Sequence, residues 1–269
     1  MTGAPKNVDA DALHRIAAEL AEAARPKTLE FFRGAGQDVQ SKTADFDPVT
    51  TADRAAERAM REILGTLRPD DAILGEEYGT KDGTSGLTWI LDPIDGTRGY
   101  VAGTPNWGVL IAVTDDTGPI LGIIDQPYIG ERFTGGLGVA RCDGPLGTTP
   151  LRTRHTATLD EAILFTTFPE VGTPEDRAAF ERVSARVLMT RYGMDCYGYA
   201  LVAAGQVDLV IEAGLQSYDI AAPIAVIEAA GGIVTNWEGG PVHQGGRALA
   251  AANADIHAQA LARLADTGA

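Results

Sequence analysis

Cysteine is scarce. Cys142 and Cys196 are the two thiols in 269 residues. They make no disulfide framework, and a pair of reduced thiols is the simplest reading. His14, His155, His243 and His257 are the four histidines, scattered without metal-ligand spacing. A zinc centre is therefore not indicated. No apolar run approaches the roughly 18 residues of a membrane span, so no membrane partner is expected. Basic charge is in deficit: 22 Lys and Arg stand against 37 Asp and Glu, for a formal net charge of -15. That excludes nonspecific nucleic-acid binding, which needs clustered Lys and Arg. A small anionic substrate stays open, because bound cations can reverse the field locally. The opening MTGAPKNVDADAL has neither the basic start nor the apolar stretch of a signal peptide, so a cytoplasmic address is the expectation. Internal repeats and low-complexity segments are also missing.

The apolar fraction of 45% is ample for a core, and the charged fraction of 22% is ordinary for a globule. The length fits one large domain or two closely packed lobes, here residues 1–269 as one unit with lobes of about 8–150 and 151–269. Apolar positions at helical spacing predict a helix over residues 8–32, through Leu13, Ile16, Ala17, Leu20, Ala23 and Ala24. Residues 34–47 read as a polar connection. A second helix starts near Thr50 and ends near Leu67, with Pro69 after it. Leu87–Leu91, Val109–Val113 and Ile120–Ile124 read as strands. Thr173-Pro174 opens a third helix, with a cap and then Pro at the first helical position. Beyond it come a helix at Tyr197–Ala204, a strand at Val207–Ile211, a helix at Tyr218–Ala230 ending at Gly231-Gly232, strands at Ile233–Asn236 and Ala248–Ala252, and a terminal helix at Ile256–Leu264. Gly135-Gly136-Leu137-Gly138 belongs to a hairpin and is too weak a signal for a nucleotide loop. Helices and strands come in blocks, which favours layered α+β over a doubly wound sheet.

The strongest local signal is Trp89-Ile90-Leu91-Asp92-Pro93-Ile94-Asp95-Gly96-Thr97. An apolar strand runs into two acids three residues apart, with Pro93 and Gly96 turning the chain. A turn at a strand end can aim Asp92, Asp95 and the carbonyl of Ile94 at one point, which suits a hard divalent cation. If Gly96 and Thr97 open a helix, their amides form an anion site beside it, and metal-assisted phosphate hydrolysis needs that adjacency. Two further acids sit similarly: Glu76 and Glu77 follow Ala72–Leu74, and Asp219 heads an apolar helix. Each has a plainer reading. Asp before Pro or Gly is an ordinary turn residue. Asp219 alone reads as a helix cap, Asp53 completes a capping box with Thr50, and Glu77 reads as a solvated acid.

Four ordered stretches together resemble the signatures of the inositol monophosphatase family. They are Lys42 with Asp47-Pro48-Val49-Thr50-Thr51-Ala52-Asp53; Gly75-Glu76-Glu77; Trp89–Thr97; and Tyr218-Asp219-Ile220-Ala221-Ala222 with Glu228-Ala229-Ala230-Gly231-Gly232. The resemblance runs from about residue 10 to residue 264. It implies a layered αβαβα fold, Mg2+ dependence with two or three ions per site (Mn2+ as a substitute), a small phosphate monoester as substrate, and a homodimer. By position, Glu76, Asp92 and the carbonyl of Ile94 resemble the ligands of a first ion, and Asp92, Asp95 and Asp219 those of a second. The resemblance also implies that Glu76 reaches a third, weaker ion through water. Thr97 with Asp53 resembles the pair that activates the attacking water, and Gly96 with Thr97 the phosphate cradle.

Within the family, Thr190–Gly205 and Val210–Ile220 resemble the bacterial histidinol-phosphate phosphatases. Tyr218 stands where the commonest form has Trp, and that substitution is typical of this branch. The expected reaction is L-histidinol phosphate plus water to L-histidinol plus phosphate, in histidine biosynthesis. An acidic and aromatic pocket suits a cationic substrate better than a neutral polyol. Glu212 and Asp195 are the candidates for the cationic end, with Arg191 at the pocket edge or the phosphate. Arg191 and Asp195 could instead pair with each other at i, i+4. Inositol-1-phosphate or another small phosphate monoester is the alternative substrate, since one metal core serves many rims. A noncatalytic metal-binding regulator is disfavoured by the intact set Asp53, Glu76, Asp92, Asp95, Thr97 and Asp219.

Overall fold

The computed structural model describes residues 9–34, 40–41 and 48–266; Lys42 and Asp47 lie outside them. In chain order the first half gives α1 (Ala10–Phe31), β1 (Gln40–Ser41), β2 (Pro48–Val49), α2 (Thr51–Leu67), β3 (Ala72–Gly75), β4 (Gly79–Lys81), β5 (Thr88–Asp95), α3 (Thr97–Ala102), β6 (Gly108–Asp115), β7 (Gly118–Gln126), β8 (Glu131–Gly136), β9 (Val139–Gly144) and β10 (Gly147–Pro150). The second half gives β11 (Ile163–Thr166), α4 (Pro174–Ser184), β12 (Met189–Tyr192), α5 (Asp195–Ala203), β13 (Leu209–Leu215), α6 (Ser217–Ala229), β14 (Ile233–Thr235), β15 (Gly246–Ala251) and α7 (Ala254–Ala265).

The two-residue period of β5, β6 and β7 sorts their side chains onto two faces. Trp89, Leu91, Val109, Ile111, Val113, Leu121 and Ile123 face α1 and α2. Ile90, Leu110, Ala112 and Ile124 face α6 and α5. Both faces are apolar, so the strands read as continuous hydrophobic runs. The larger sheet has eight strands in the order β10-β9-β8-β7-β6-β5-β3-β4. It is antiparallel except where β3 runs parallel to β5. The smaller sheet runs β12-β11-β13-β15-β14, with β11 parallel to β12 and β13. Its inner face shares a core with α5 and α6, through Val210, Ala248 and Ala250. Its outer face, with Leu209, Ile211 and Leu249, packs on α4 and α7. The layers are therefore αβαβα, as the resemblance implied. No described helix is long and apolar enough to cross a membrane.

Helix α6 lies between the two sheets, and every residue from Ile220 to Ile227 is buried. A helix apolar on all sides belongs in such a middle layer. It sits unusually close to the larger sheet because Gly122 and Gly135 have no side chains there. A Cβ on Gly122 would stand 2.4 Å from the carbonyl oxygen of Ala222, and one on Gly135 2.4 Å from the Cα of Val226.

Several short strands were not legible in the sequence: β1, which falls in the expected polar connection, β2, β3, β4, β10, β11 and β12. The glycine cluster is the β8–β9 hairpin as expected, with Leu137 at φ 48° and Gly138 at 84°. That is the positive-φ pair a two-residue hairpin turn needs.

Gly135→Val should push α6 off the sheet and destabilise the protein by about 1–3 kcal/mol, the usual range for overpacking. Urea unfolding in chelator measures it; an unchanged midpoint would show that α6 moves aside freely.

Candidate active site

Strand β5 carries the first two acids. Its pairing with β6 is regular to Asp92↔Leu110 and resumes at Asp95↔Gly108, with a register shift between. That bulge lets Asp92 and Asp95 leave the strand toward one point, where strict alternation would send residues three apart to opposite faces. The amide of Ile94 donates to Asp92 Oδ1 at 3.0 Å. Gly96, at φ 82°, then turns the chain into α3, which opens at Thr97 as the sequence suggested. Asp219 arrives from the other half of the molecule, in the first turn of α6, where its Oδ2 accepts the Gln216 amide at 2.6 Å. Among the described residues, carboxylate oxygens of Asp92, Asp95 and Asp219 lie within 4.8 Å of one another.

Glu76 joins the group from the turn after β3, close enough to share a hydrogen bond with Asp92. That turn is pinned from behind by Glu57. The Glu57 carboxylate accepts the amides of Glu77 at 2.7 Å and Tyr78 at 3.2 Å, and Arg61 pairs with it at 2.7 Å. A Cβ at Gly75 would fall 2.0 Å from Glu57 Oε1.

These acids open onto a cavity of about 320 Å³, within the range of small-ligand sites. It is lined by Glu76, Asp92, Asp95, Gly96, Thr97 and Asp219 and, from the second half of the chain, by Asp195, Tyr199 and Glu212, with Asp195 packed against Gly96. Glu212 is firmly held: Oε1 accepts the Thr167 amide at 3.0 Å and the Thr167 hydroxyl, and Oε2 accepts the Tyr199 hydroxyl at 2.8 Å. Arg98 lies over the Phe168 ring at 5.1 Å, linking α3 to the segment after β11 at the cavity wall.

Three expected residues stand elsewhere or are differently engaged. Arg191 lies exposed on the edge strand β12 and does not line the cavity. It shares no helix with Asp195 either, because β12 ends at Tyr192 and α5 begins at Asp195. Asp53 is 1% exposed and completes the α2 capping box, its Oδ2 accepting the Thr50 amide at 2.8 Å and hydroxyl at 2.6 Å. Thr97 donates its hydroxyl to the Ile94 carbonyl at 2.9 Å. The pair proposed for water activation is thus turned to separate partners.

The donor set tests whether a cation fits. Burial raises Asp92 well above the ordinary carboxylate range, and Glu76, Asp95 and Asp219 raise it further. Burial does the same to Asp95, with Asp195 and Asp219 adding to it. A converging group of all-oxygen donors that repel one another fits a hard divalent ion, and Glu76, Asp92, Asp95, Asp219 and the Ile94 carbonyl are the residues that would hold it.

Burial of these acids, more than their crowding, sets the pH response of the metal-free protein. Burial raises Asp53 to about 7 and, with Glu212 nearby, Asp195 to about 6. Glu212 is also raised by burial, against the pull of its Thr167 and Tyr199 hydrogen bonds. Unfolded carboxyls titrate near 4. Between about pH 4 and about pH 7 the folded chain therefore keeps protons that the unfolded chain has lost, and stability falls as pH rises. His14 and His257, lowered by burial, act the other way but are outnumbered. The melting temperature in chelator should be lower at pH 7.5 than at pH 5, and Mg2+ should recover most of the loss. A profile that is flat, or that rises with pH, would contradict this account.

Similarity to known proteins agrees with the geometry. The model of the inositol monophosphatase family matches residues 9–268. The chain is 40% identical to the chloroplastic bifunctional phosphatase IMPL2 of Arabidopsis thaliana, over 97% of this chain and 78% of that protein. It is 36% identical to a histidinol-phosphatase of Mycobacterium tuberculosis, over 91% of this chain and 95% of that one. An inositol monophosphatase structure from Zymomonas mobilis superposes with a TM-score of 0.85 at 37% identity, covering 96% of this chain and 99% of that one. The chain belongs to the inositol monophosphatase family of metal-dependent phosphatases acting on small phosphate monoesters.

Proposed function

We propose that the substrate is L-histidinol phosphate and the metal Mg2+. The observation that carries this reading is a further pair of acids in the cavity. Asp195 and Glu212 line it in addition to the metal-binding acids, with Glu212 close enough to add to burial in raising Asp195. A neutral leaving group would leave the two carboxylates with Arg98, which acts on Asp195, as countercharge. A leaving group with an ammonium and an imidazole supplies further countercharge, through charge-assisted hydrogen bonds. The similarity to a histidinol-phosphatase supports the reading. Inositol-1-phosphate is the second reading, on the strength of the similarly close Zymomonas structure.

Divalent metal, when bound, supplies positive charge to the phosphoryl oxygens and acidity to the attacking water. The chain's own residues position the reactants. Gly96 and Thr97 hold the phosphate by their amides, with Arg98 close by. Thr97 orients the water and Asp53 takes its proton, which requires Thr97 or Asp53 to exchange its present partner, Ile94 or Thr50. A value near 7 suits Asp53 as a base at neutral pH. We also propose a homodimer. The edge strand β12 and the residue before it expose Leu188, Met189 and Tyr192 at 66%, 44% and 47%.

Two outcomes are expected. Asp92→Asn should retain less than about a tenth of the activity, because it weakens the charge at the centre of the metal site. Its melting temperature in chelator should hold or rise, since one member of a repelling group is neutralised. Activity near wild type would remove Asp92 from the metal site. In a phosphate-release panel, histidinol phosphate should exceed inositol-1-phosphate by at least about tenfold in kcat/KM, equivalent to about 1.4 kcal/mol. Glu212→Gln should erode that ratio. Preference for inositol-1-phosphate would overturn the substrate assignment and leave the phosphatase standing.

A further inference from the structure

Asn106 lies between α3 and β6, 8% exposed, in a stretch whose sequence resembles no motif. Its side-chain amide spends both hydrogens across the seam between the halves of the chain. Nδ2 donates to the Gly193 carbonyl at 2.8 Å and to Asp195 Oδ2 at 3.0 Å. Those atoms belong to the junction of β12 and α5, where Asp195, the first residue of α5, holds a backbone form that side chains rarely adopt. Gly193 is at φ 79° and Asp195 at φ 46°. A residue with a side chain keeps such a value only where its surroundings impose it.

What the junction delivers is specific. Directly after Asp195, the amide of Cys196 donates to Asp95 Oδ2 at 2.6 Å. The Asp195 carboxylate packs on Gly96, where a Cβ would stand 2.9 Å from its Cγ. Asp95 and Glu212 both repel Asp195, against the attraction of Arg98, so an Asp195 that has lost Asn106 would swing outward. The Cys196 amide would then leave Asp95.

We propose that Asn106 is a positioning residue for the metal site: it locks the Gly193–Cys196 junction so that the Cys196 amide fixes one oxygen of Asp95 and orients its carboxylate in the acid cluster. The inference rests on reading that cluster as a metal site, and it holds for any phosphate monoester.

The test is Mg2+ binding by calorimetry to the full chain and to Asn106→Leu and Asn106→Asp, which keep the side chain's approximate size and lose the donor. Turnover of a monoester that the wild type hydrolyses is measured alongside, with melting in chelator. Both variants should bind Mg2+ about tenfold more weakly or worse, the usual effect of losing a residue that orients a ligand. At saturating Mg2+, kcat should fall more than KM changes. A purely structural role would lower the melting temperature and leave Mg2+ affinity untouched, and affinity within twofold of wild type overturns the proposal. Gly193→Ala provides an independent arm if the Asn106 variants do not fold. Its Cβ would meet nothing within 4 Å, so only the junction's backbone is strained. It too should weaken Mg2+ binding, by a smaller factor, and unchanged affinity there overturns the proposal as well. Should the wild type itself fail to bind Mg2+, the reading of the acid cluster falls instead.

Discussion

Asp92, Asp95 and Asp219 present oxygens within 4.8 Å of one another, and everything around them is arranged to tolerate that repulsion. At an effective dielectric constant of about 20, two unit charges this close repel by about 3–4 kcal/mol. A group of such pairs is a large fraction of the 5–15 kcal/mol that typically separates folded from unfolded chains. The metal-free chain meets this by keeping protons: burial first, and the neighbouring acids after it, raise Asp92 and Asp95 above the ordinary carboxylate range. A divalent cation relieves the same repulsion without protons. Affinity for the ion is thus stored in the fold as electrostatic stress.

The stress is held in place by main-chain donors. Asp92 takes the Ile94 amide, Asp95 the Cys196 amide and Asp219 the Gln216 amide. Each carboxylate has one oxygen fixed by the backbone, so its orientation follows from the path of the chain. The three amides come from the β5 bulge, the start of α5 and the start of α6. Irregular places in the fold set the site, while the regular sheets and the buried α6 keep those places from moving.

The long periodic elements were legible from residues alone: α1, α2, β5, β6, β7, α4, α6 and α7 fall close to where hydrophobic spacing put them. So was the acid constellation, because Asp-Pro-x-Asp-Gly after an apolar strand is a local pattern. The short strands β11 and β12 were hidden because four residues give too little alternation to read. The supports of the site were hidden for a different reason. Glu57 looks like half of a surface pair with Arg61 at i, i+4, and nothing local tells that its carboxylate is fully buried behind Glu76. Asn106 meets Gly193 and Asp195 across more than 80 positions of sequence. Arg191 errs in the opposite direction. It stands close to Asp195 in sequence, but an intervening turn separates strand from helix and leaves it on an exposed edge.

The division of labour across the seam bears on specificity. The first half of the chain supplies Glu76, Asp92, Asp95, Gly96 and Thr97, which would hold metal and phosphate. The second half supplies Asp219 and also Asp195, Tyr199 and Glu212, the three that would meet the leaving group. Substitutions among those three can change the substrate while the metal and phosphate residues, and with them the phosphoryl chemistry, stay the same. Identity averaged over a whole chain cannot register so small a set, which accounts for a histidinol-phosphatase and an inositol monophosphatase standing at 36% and 37% identity to the same sequence. Asp195 is where the two tasks meet. Its side chain faces the cavity, and the amide that follows it holds Asp95, so a change chosen to alter the leaving group there also disturbs the metal. Glu212 has no hydrogen bond to the metal-binding acids: its partners are Thr167 and Tyr199, and it acts on Asp195 through charge alone. Substrate preference should therefore be separable from metal binding at Glu212 and inseparable from it at Asp195.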